Sequence, residues 1–154
     1  MKTNCGLPQE TVRKIVERLT SLTADLYVLL TKTLRFHWNM EDPRFYFLHE
    51  LLDGQYHQLL EEVDLVAERI RQLGKPVSAS MQEFLKESRL KEVKSAMDGN
   101  KMLASLAESY EQLLKLLRAD VELCDKLHDP ATSDICVELL RKFEKRVWIL
   151  RSHL

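Results

Sequence analysis

Within the stretch from His37 to Gly74, the histidines His37 and His49 and the carboxylates Asp53, Asp64 and Glu68 are candidate ligands, residue types that ligate first-row metals. His49 and Asp53 are four apart, as are Asp64 and Glu68. On a helix each pair would project from successive turns of one face and could converge on one ion. The stretch does predict a helix. From Phe45 onward apolar residues recur at Leu48, Leu52, Tyr56, Leu59, Val63, Val66, Ile70 and Leu73, in steps of three and four. With His49 at 0° and about 100° per residue, Asp53 falls near 40°, Asp64 near 60° and Glu68 near 100°. All four share a face roughly 130° from the centre of the apolar stripe.

That geometry limits what one chain can do. At about 1.5 Å rise per residue, His49 and Glu68 lie roughly 28 Å apart along the axis, far beyond the reach of ligand bonds of about 2.0–2.2 Å. Two antiparallel copies of the helix remove the difficulty. A two-fold axis between Gln58 and Leu59 sets His49 opposite Glu68 and Asp53 opposite Asp64 of the partner, twice over. This is the self-complementary form of an isologous contact, and it predicts two identical metal sites per dimer, each shared between chains. The alternative is a solvated charged face, as for Glu50, Glu61 and Glu62 on the same helix. Imidazole and carboxylate suit Fe, Mn and Zn alike, and ligand type does not choose among them. His57 lies on this face beside the two-fold, opposite Leu60, and is expected to be an interface residue without a metal.

The elements that must position these residues follow from periodicity and breaks. Residues 1–8 form a short tail, and 9–154 a single all-α domain. Helix A runs from about Gln9 to His37 on the stripe Val12, Ile15, Val16, Leu19, Leu22, Leu26, Leu29, Leu30 and Leu34, with Pro8 at its entrance. Glu41-Asp42-Pro43 breaks it. The break brings His37 and Trp38 at the end of A near the beginning of B, and so near His49. Trp38 is open to two readings, an aromatic under a loop or a redox-active ring. Helix B stops at Gly74, with Pro76 beyond. The connection 75–97 carries a short amphipathic piece, Met81 to Ser88, with Met81, Phe84 and Leu85 on one side. Asp98 caps helix C, and Asp129-Pro130 starts helix D, which continues to the chain end. Two short links and one long one describe a four-helix bundle with a crossover that leaves B and C parallel, the ferritin-like topology.

Bulk properties exclude several classes. With 154 residues, 45% apolar and 31% charged, the chain suits one soluble domain with a sizeable core. Lys plus Arg (23) nearly balances Asp plus Glu (24), so charge does not argue for a nucleic-acid partner. Cys5, Cys124 and Cys136 make no disulfide framework, fit a reducing cytosol and are expected to be buried small residues. No secretory leader and no apolar run long enough to span a bilayer is present, so a cytoplasmic protein without membrane contact is expected. None of the five histidines has Glu three residues earlier, which excludes Glu-x-x-His pairs in the bundle core. No nucleophile elbow, phosphate loop or Gly-rich fingerprint occurs. Arg141, Lys142, Lys145 and Arg146 are expected to form a solvated basic face.

At this point the residues are specific enough for a resemblance. His37-Trp38-Asn39, Pro43, Phe45, Leu48-His49-Glu50, Asp53-Gly54, Tyr56, Asp64, Ala67-Glu68-Arg69 and Leu73-Gly74 closely resemble Dps, the DNA-protecting mini-ferritins of starved bacteria. The likeness continues through Asp129 to Ile135 and from Trp148 to Leu154, so it spans nearly the whole chain. It implies a four-helix bundle with a short extra helix in the B–C link, and twelve chains in a hollow shell. It also implies a ferroxidase centre of His37, His49 and Asp53 from one chain with Asp64 and Glu68 from its neighbour, holding two iron ions. The implied reaction is oxidation of Fe(II), preferably by hydrogen peroxide, with ferric mineral stored inside. Trp38 would intercept stray oxidising equivalents, Glu50 would help start the mineral, and Asp134 with Glu138 would edge an acidic pore.

Two departures stand out. Asp42 occupies a position where the family usually has glycine, adding charge near the site. The lysine-rich tail of DNA-binding members is missing, since Lys2 is the only basic side chain before Arg13. Phosphate affinity depends on such charges, which argues against direct DNA binding. The favoured reading is an iron-oxidising storage cage. Its rival is a nucleoid-associated DNA-binding protein with incidental metal, which tight retention of duplex DNA at near-physiological salt would promote.

Overall fold

The computed structural model of the chain describes residues 4–93 and 97–154; Lys2 of the tail and residues 94–96 of the long connection lie outside them. Among the described residues there are five helices and no strand: α1 Gln9–Trp38, α2 Phe45–Gln72, α3 Met81–Glu87, α4 Gly99–Lys126 and α5 Pro130–Arg151. None is long and apolar enough to cross a membrane.

Each boundary has a local cause. At the end of α1 the Asn39 amide and side chain both donate to the Arg35 carbonyl, at 3.2 and 2.7 Å, before Pro43 prevents continuation. Gly74 ends α2 in the left-handed region, φ +79°, and the Lys75 amide bonds back to the Ile70 carbonyl at 3.2 Å. Ser80 and Glu83 close a capping box on α3. Asp98 caps α4 through the Lys101 amide, and Asp129 caps α5 through Thr132 with Pro130 in the first turn.

Cross-helix contacts give the directions. His37 meets His49, so α1 and α2 are antiparallel. Arg18 reaches Asp120 and Lys32 reaches Ser109, which sets α1 against α4. Arg118 pairs with Glu144 and Arg151 with Glu111, which sets α4 against α5. It follows that α2 and α4 run parallel, as the long crossover requires. The apolar stripes converge on one core, in which Leu26, Leu52, Leu59, Leu113, Leu139 and Phe143 have no exposed surface. Short α3 lies on α1, with Phe84 stacked on Tyr27 at 4.3 Å and Asp25 receiving the Ser88 hydroxyl and the Arg89 guanidinium. Of its expected apolar side only Phe84 is buried; Met81 and Leu85 face outward. A seven-residue helix has two turns, enough to seat one large side chain on α1.

The expected basic face of α5 is corrected at Arg146. Its guanidinium is 5% exposed and donates to both oxygens of Glu62, at 2.6 and 2.8 Å, and to Gln58 at 2.9 Å. It also lies over the rings of Tyr110 and Phe143, 5.6 and 5.3 Å from their centroids. Glu62, grouped by sequence with solvated carboxylates, is 1% exposed for the same reason. Arg146 falls three residues after Phe143 and four before Leu150, on the apolar stripe itself. Of the cysteines, Cys124 and Cys136 are buried as expected and Cys5 is exposed.

Asp42 is likewise used differently. Its carboxylate takes the Arg44 Nε and Nη2 at 2.8 Å, and the hydrogen bonds from the Arg44 side chain and amide hold it at about 2. Arg44 also donates to the His153 carbonyl and to Asn100. The added charge is spent on a clamp between the α1–α2 loop, α4 and the end of α5. Gly99 makes room for it: a Cβ there would stand 2.9 Å from the Asp42 Cγ, and the bound arginine keeps that carboxylate from yielding. Gly99→Ala is therefore expected to destabilise the fold by about 1–3 kcal/mol through overpacking, measured by urea unfolding. Adding Asp42→Gly should restore most of the loss; a double variant no better than the single would refute the clash.

Candidate metal centre

The end of α1 and the second turn of α2 bring His37 and His49 face to face. Their rings stack at 3.9 Å, 18° from parallel. The Nδ1 of His37 lies 3.1 Å from the His49 carbonyl, and the Nδ1 of His49 lies 3.1 Å from the His37 carbonyl. A carbonyl only accepts, so each Nδ1 carries the hydrogen and donates it. In the neutral ring the lone pair is then on Nε2, the arrangement in which a backbone acceptor orients a metal-binding imidazole.

Asp53, one turn along α2 from His49, completes the near cluster. Its Oδ1 lies 3.9 Å from His37 Nε2, a span that two ligands of one ion can bridge with bonds of about 2.0–2.2 Å. The other oxygen, Oδ2, is 3.3 Å from His57 Nδ1, and that nitrogen also donates to the Asp53 carbonyl at 3.0 Å. Tyr56 tilts against His37 at 5.3 Å and Phe45 stacks on His49 at 5.1 Å, which walls the imidazoles with aromatic rings. Burial, then the hydrogen bond with Asp53, raises the Tyr56 phenol above its ordinary value. His37 is buried, and His49 and Asp53 are half-buried.

Asp64 and Glu68 are elsewhere in the chain. Both are exposed, and helical rise puts Asp64 about 17 Å beyond Asp53. Among the described residues no three His, Cys, Asp or Glu side chains of one chain are placed to hold an ion. His37 lies next to both His49 and Asp53, short of a three-ligand site within one chain, and the acidic pair is left apart. Leu60, between them on the same face, is 48% exposed, and Trp38 at the end of α1 is 71% exposed. His57 is exposed and faces Asp53.

The more distant candidates are mixed. Glu50 is exposed at the mouth of a groove shared with Glu61, Lys142 and Lys145. Asp134 is exposed, but Glu138 is engaged by Lys142 at 2.7 Å. The reciprocal carbonyl contacts of the two imidazoles were not legible in the sequence, because they depend on how closely two helix ends approach.

The ferritin-like domain family matches residues 16–154. An uncharacterized low temperature-induced protein of Nostoc is 36% identical over 153 residues, 98% of this chain and 86% of the relative. DNA protection during starvation protein 2 of Bacillus anthracis is 32% identical over 142 residues, 92% of this chain and 97% of the relative. A Dps crystal structure from Vibrio cholerae, described as a member of a broad superfamily of ferritin-like diiron-carboxylate proteins, superposes with a TM-score of 0.93. That pair is 31% identical, and the match covers 99% of this chain and 96% of the other.

Proposed function

This chain belongs to the Dps family of ferritin-like proteins, and on that premise we propose that it oxidises and stores iron at centres built by pairs of chains. His37, His49 and Asp53 of one chain face Asp64 and Glu68 of its two-fold mate, so that one dimer holds two centres and dimers assemble into a closed, dodecameric shell. The observation that carries this reading is the pair of imidazoles whose Nδ1 atoms are both tied to backbone carbonyls beside Asp53, leaving Nε2 for a metal. Leu60 supports it, since an exposed leucine midway between the ligand pairs lies where the two-fold contact would cover it.

The ligand set fits Fe(II) as substrate. Imidazole nitrogens fix the metal position, and the carboxylates favour the Fe(III) product because anionic oxygen suits the harder ion. Two Fe(II) ions side by side deliver one electron each to hydrogen peroxide; its O–O bond breaks and two hydroxides form. A lone Fe(II) delivers one electron and leaves a hydroxyl radical. Removal of Fe(II) and peroxide together is how such a protein would protect DNA, with no need to bind it. Trp38, next to His37 in sequence and exposed, would take up an oxidising equivalent that escapes the pair.

The test is stoichiometry. Fe(II) is mixed anaerobically with hydrogen peroxide, ferric absorbance is followed, and particle mass is measured in solution. Two Fe(II) consumed per peroxide by a particle of about twelve chains, with little trapped hydroxyl radical, is the expected result. One Fe(II) per peroxide with radical released, or a monomer that oxidises iron at full rate, would overturn the reading.

A further inference from the structure

Cys124 and Cys136 are the one cysteine pair in the described residues, and they lie far along the bundle from the histidine cluster. Each stands near the α4–α5 turn and both are almost wholly buried, at 3% and 1% exposure. The antiparallel register places them opposite each other. Ser133 bonds Asp125 at 2.8 Å on the turn side of the pair, and Arg118 bonds Glu144 at 2.6 Å on the other. One turn before Cys124, Asp120 is buried with Oδ1 held by Arg18 and Oδ2 without a partner among the described residues. Arg18 itself reaches solvent.

We propose that Cys124 and Cys136 are a redox dithiol that reduces one molecule of hydrogen peroxide and closes to an internal disulfide. The Cys124 sulfur attacks a peroxide oxygen, an S–O bond forms, the O–O bond breaks and the leaving hydroxide becomes water. Cys136 then attacks the sulfenic sulfur, the S–S bond forms, the S–O bond breaks and a second water leaves. Two thiols lose two electrons and peroxide gains them; the two thiol protons end in the two waters. Asp120 Oδ2, one turn from the attacking sulfur, is an open acceptor through which the first proton can pass.

Cys124 attacks first because Asp120, with its open acceptor oxygen, lies one turn before it. The neighbouring Cys136 thiol lowers that of Cys124, whereas Cys124 and burial push the Cys136 thiol up. Burial and the carboxylates of Asp129, Asp120 and Asp125 oppose thiolate formation at Cys124. The disulfide would close a short loop around the α4–α5 turn, between helices already in register.

The experiment uses the full-length chain with exposed Cys5 changed to Ser, freed of iron so that the outcome does not depend on the proposed ferroxidase activity. After exposure to hydrogen peroxide the protein is unfolded in an alkylating reagent, and intact mass and a non-reducing peptide map are recorded. Both remaining thiols should resist alkylation, the chain should be lighter by two hydrogens, and the map should join the Cys124 and Cys136 peptides until a reductant parts them. Thiols that stay alkylatable, chains that only gain oxygen atoms, or cross-links only between chains would overturn the proposal. In Cys136→Ser, Cys124 should accumulate as a sulfenic acid trapped by a cyclic diketone; its absence would overturn the order of attack.

Discussion

Shells assembled from equal amounts of His49→Ala and Glu68→Ala chains are expected to oxidise Fe(II) although neither parent does so at an appreciable rate. Removing an imidazole or a carboxylate that touches the ion should lower the rate at least as much as losing an outer-shell partner, roughly 100-fold. In a mixed dimer one centre combines both defects, and the other combines an intact His37–His49–Asp53 cluster with an intact Asp64–Glu68 pair. Random pairing therefore restores about a quarter of the centres under two-fold symmetry. A site confined to one chain would restore none. Native mass spectrometry can confirm that mixed dimers formed, and inactivity of confirmed mixed dimers would refute the shared centre. The acidic pair in one chain is too far from the imidazole cluster to share its ion.

Glu62→Ala is expected to be among the most destabilising substitutions in the chain, by about 3–5 kcal/mol, because it strands a buried guanidinium. Among the described residues Arg146 has only Gln58, the Tyr110 hydroxyl at 3.5 Å and two aromatic rings to replace the carboxylate. The Tyr110 phenol, fully buried and pushed up to about 12 chiefly by burial, cannot supply a compensating charge near neutral pH. Replacing both partners with apolar residues, Glu62→Met with Arg146→Leu, should recover at least half of the loss, since no buried charge remains uncompensated. Urea unfolding of the three proteins measures this. A double variant as unstable as Glu62→Ala would mean that the damage comes from lost packing and not from the unpaired charge.

The shared centre and the buried ion pair draw on different kinds of information in the chain. The first was legible in the sequence. Four-residue spacings and 100° steps put His49, Asp53, Asp64 and Glu68 on one face, and helix length alone forbade their meeting within a molecule. The breaks at Pro43, Gly74 and Asp129-Pro130 were legible too, because proline geometry, left-handed glycine and N-capping act over a few residues. The second was half legible. Arg146 and Glu62 sit on the apolar ladders of α5 and α2, a position that marks them as buried, but their charge made solvation the simpler reading. Only a partner across the bundle reverses that reading. The same holds for Asp42, whose carboxylate is held by Arg44 two residues on and is packed against a glycine in another helix.

By itself, then, the sequence determined the helices, their ends, the shared face of the ligand types and the distance that keeps the two ligand pairs of one helix from meeting. These depend on local backbone preferences and on a fixed rise and rotation per residue. Tertiary structure alone decided which tautomer the paired imidazoles take, that Arg146 is buried on Glu62, that Arg44 neutralises Asp42, and that two cysteines twelve residues apart face each other. Each of those outcomes depends on how closely side chains from different helices approach, a distance that periodicity along one helix does not contain.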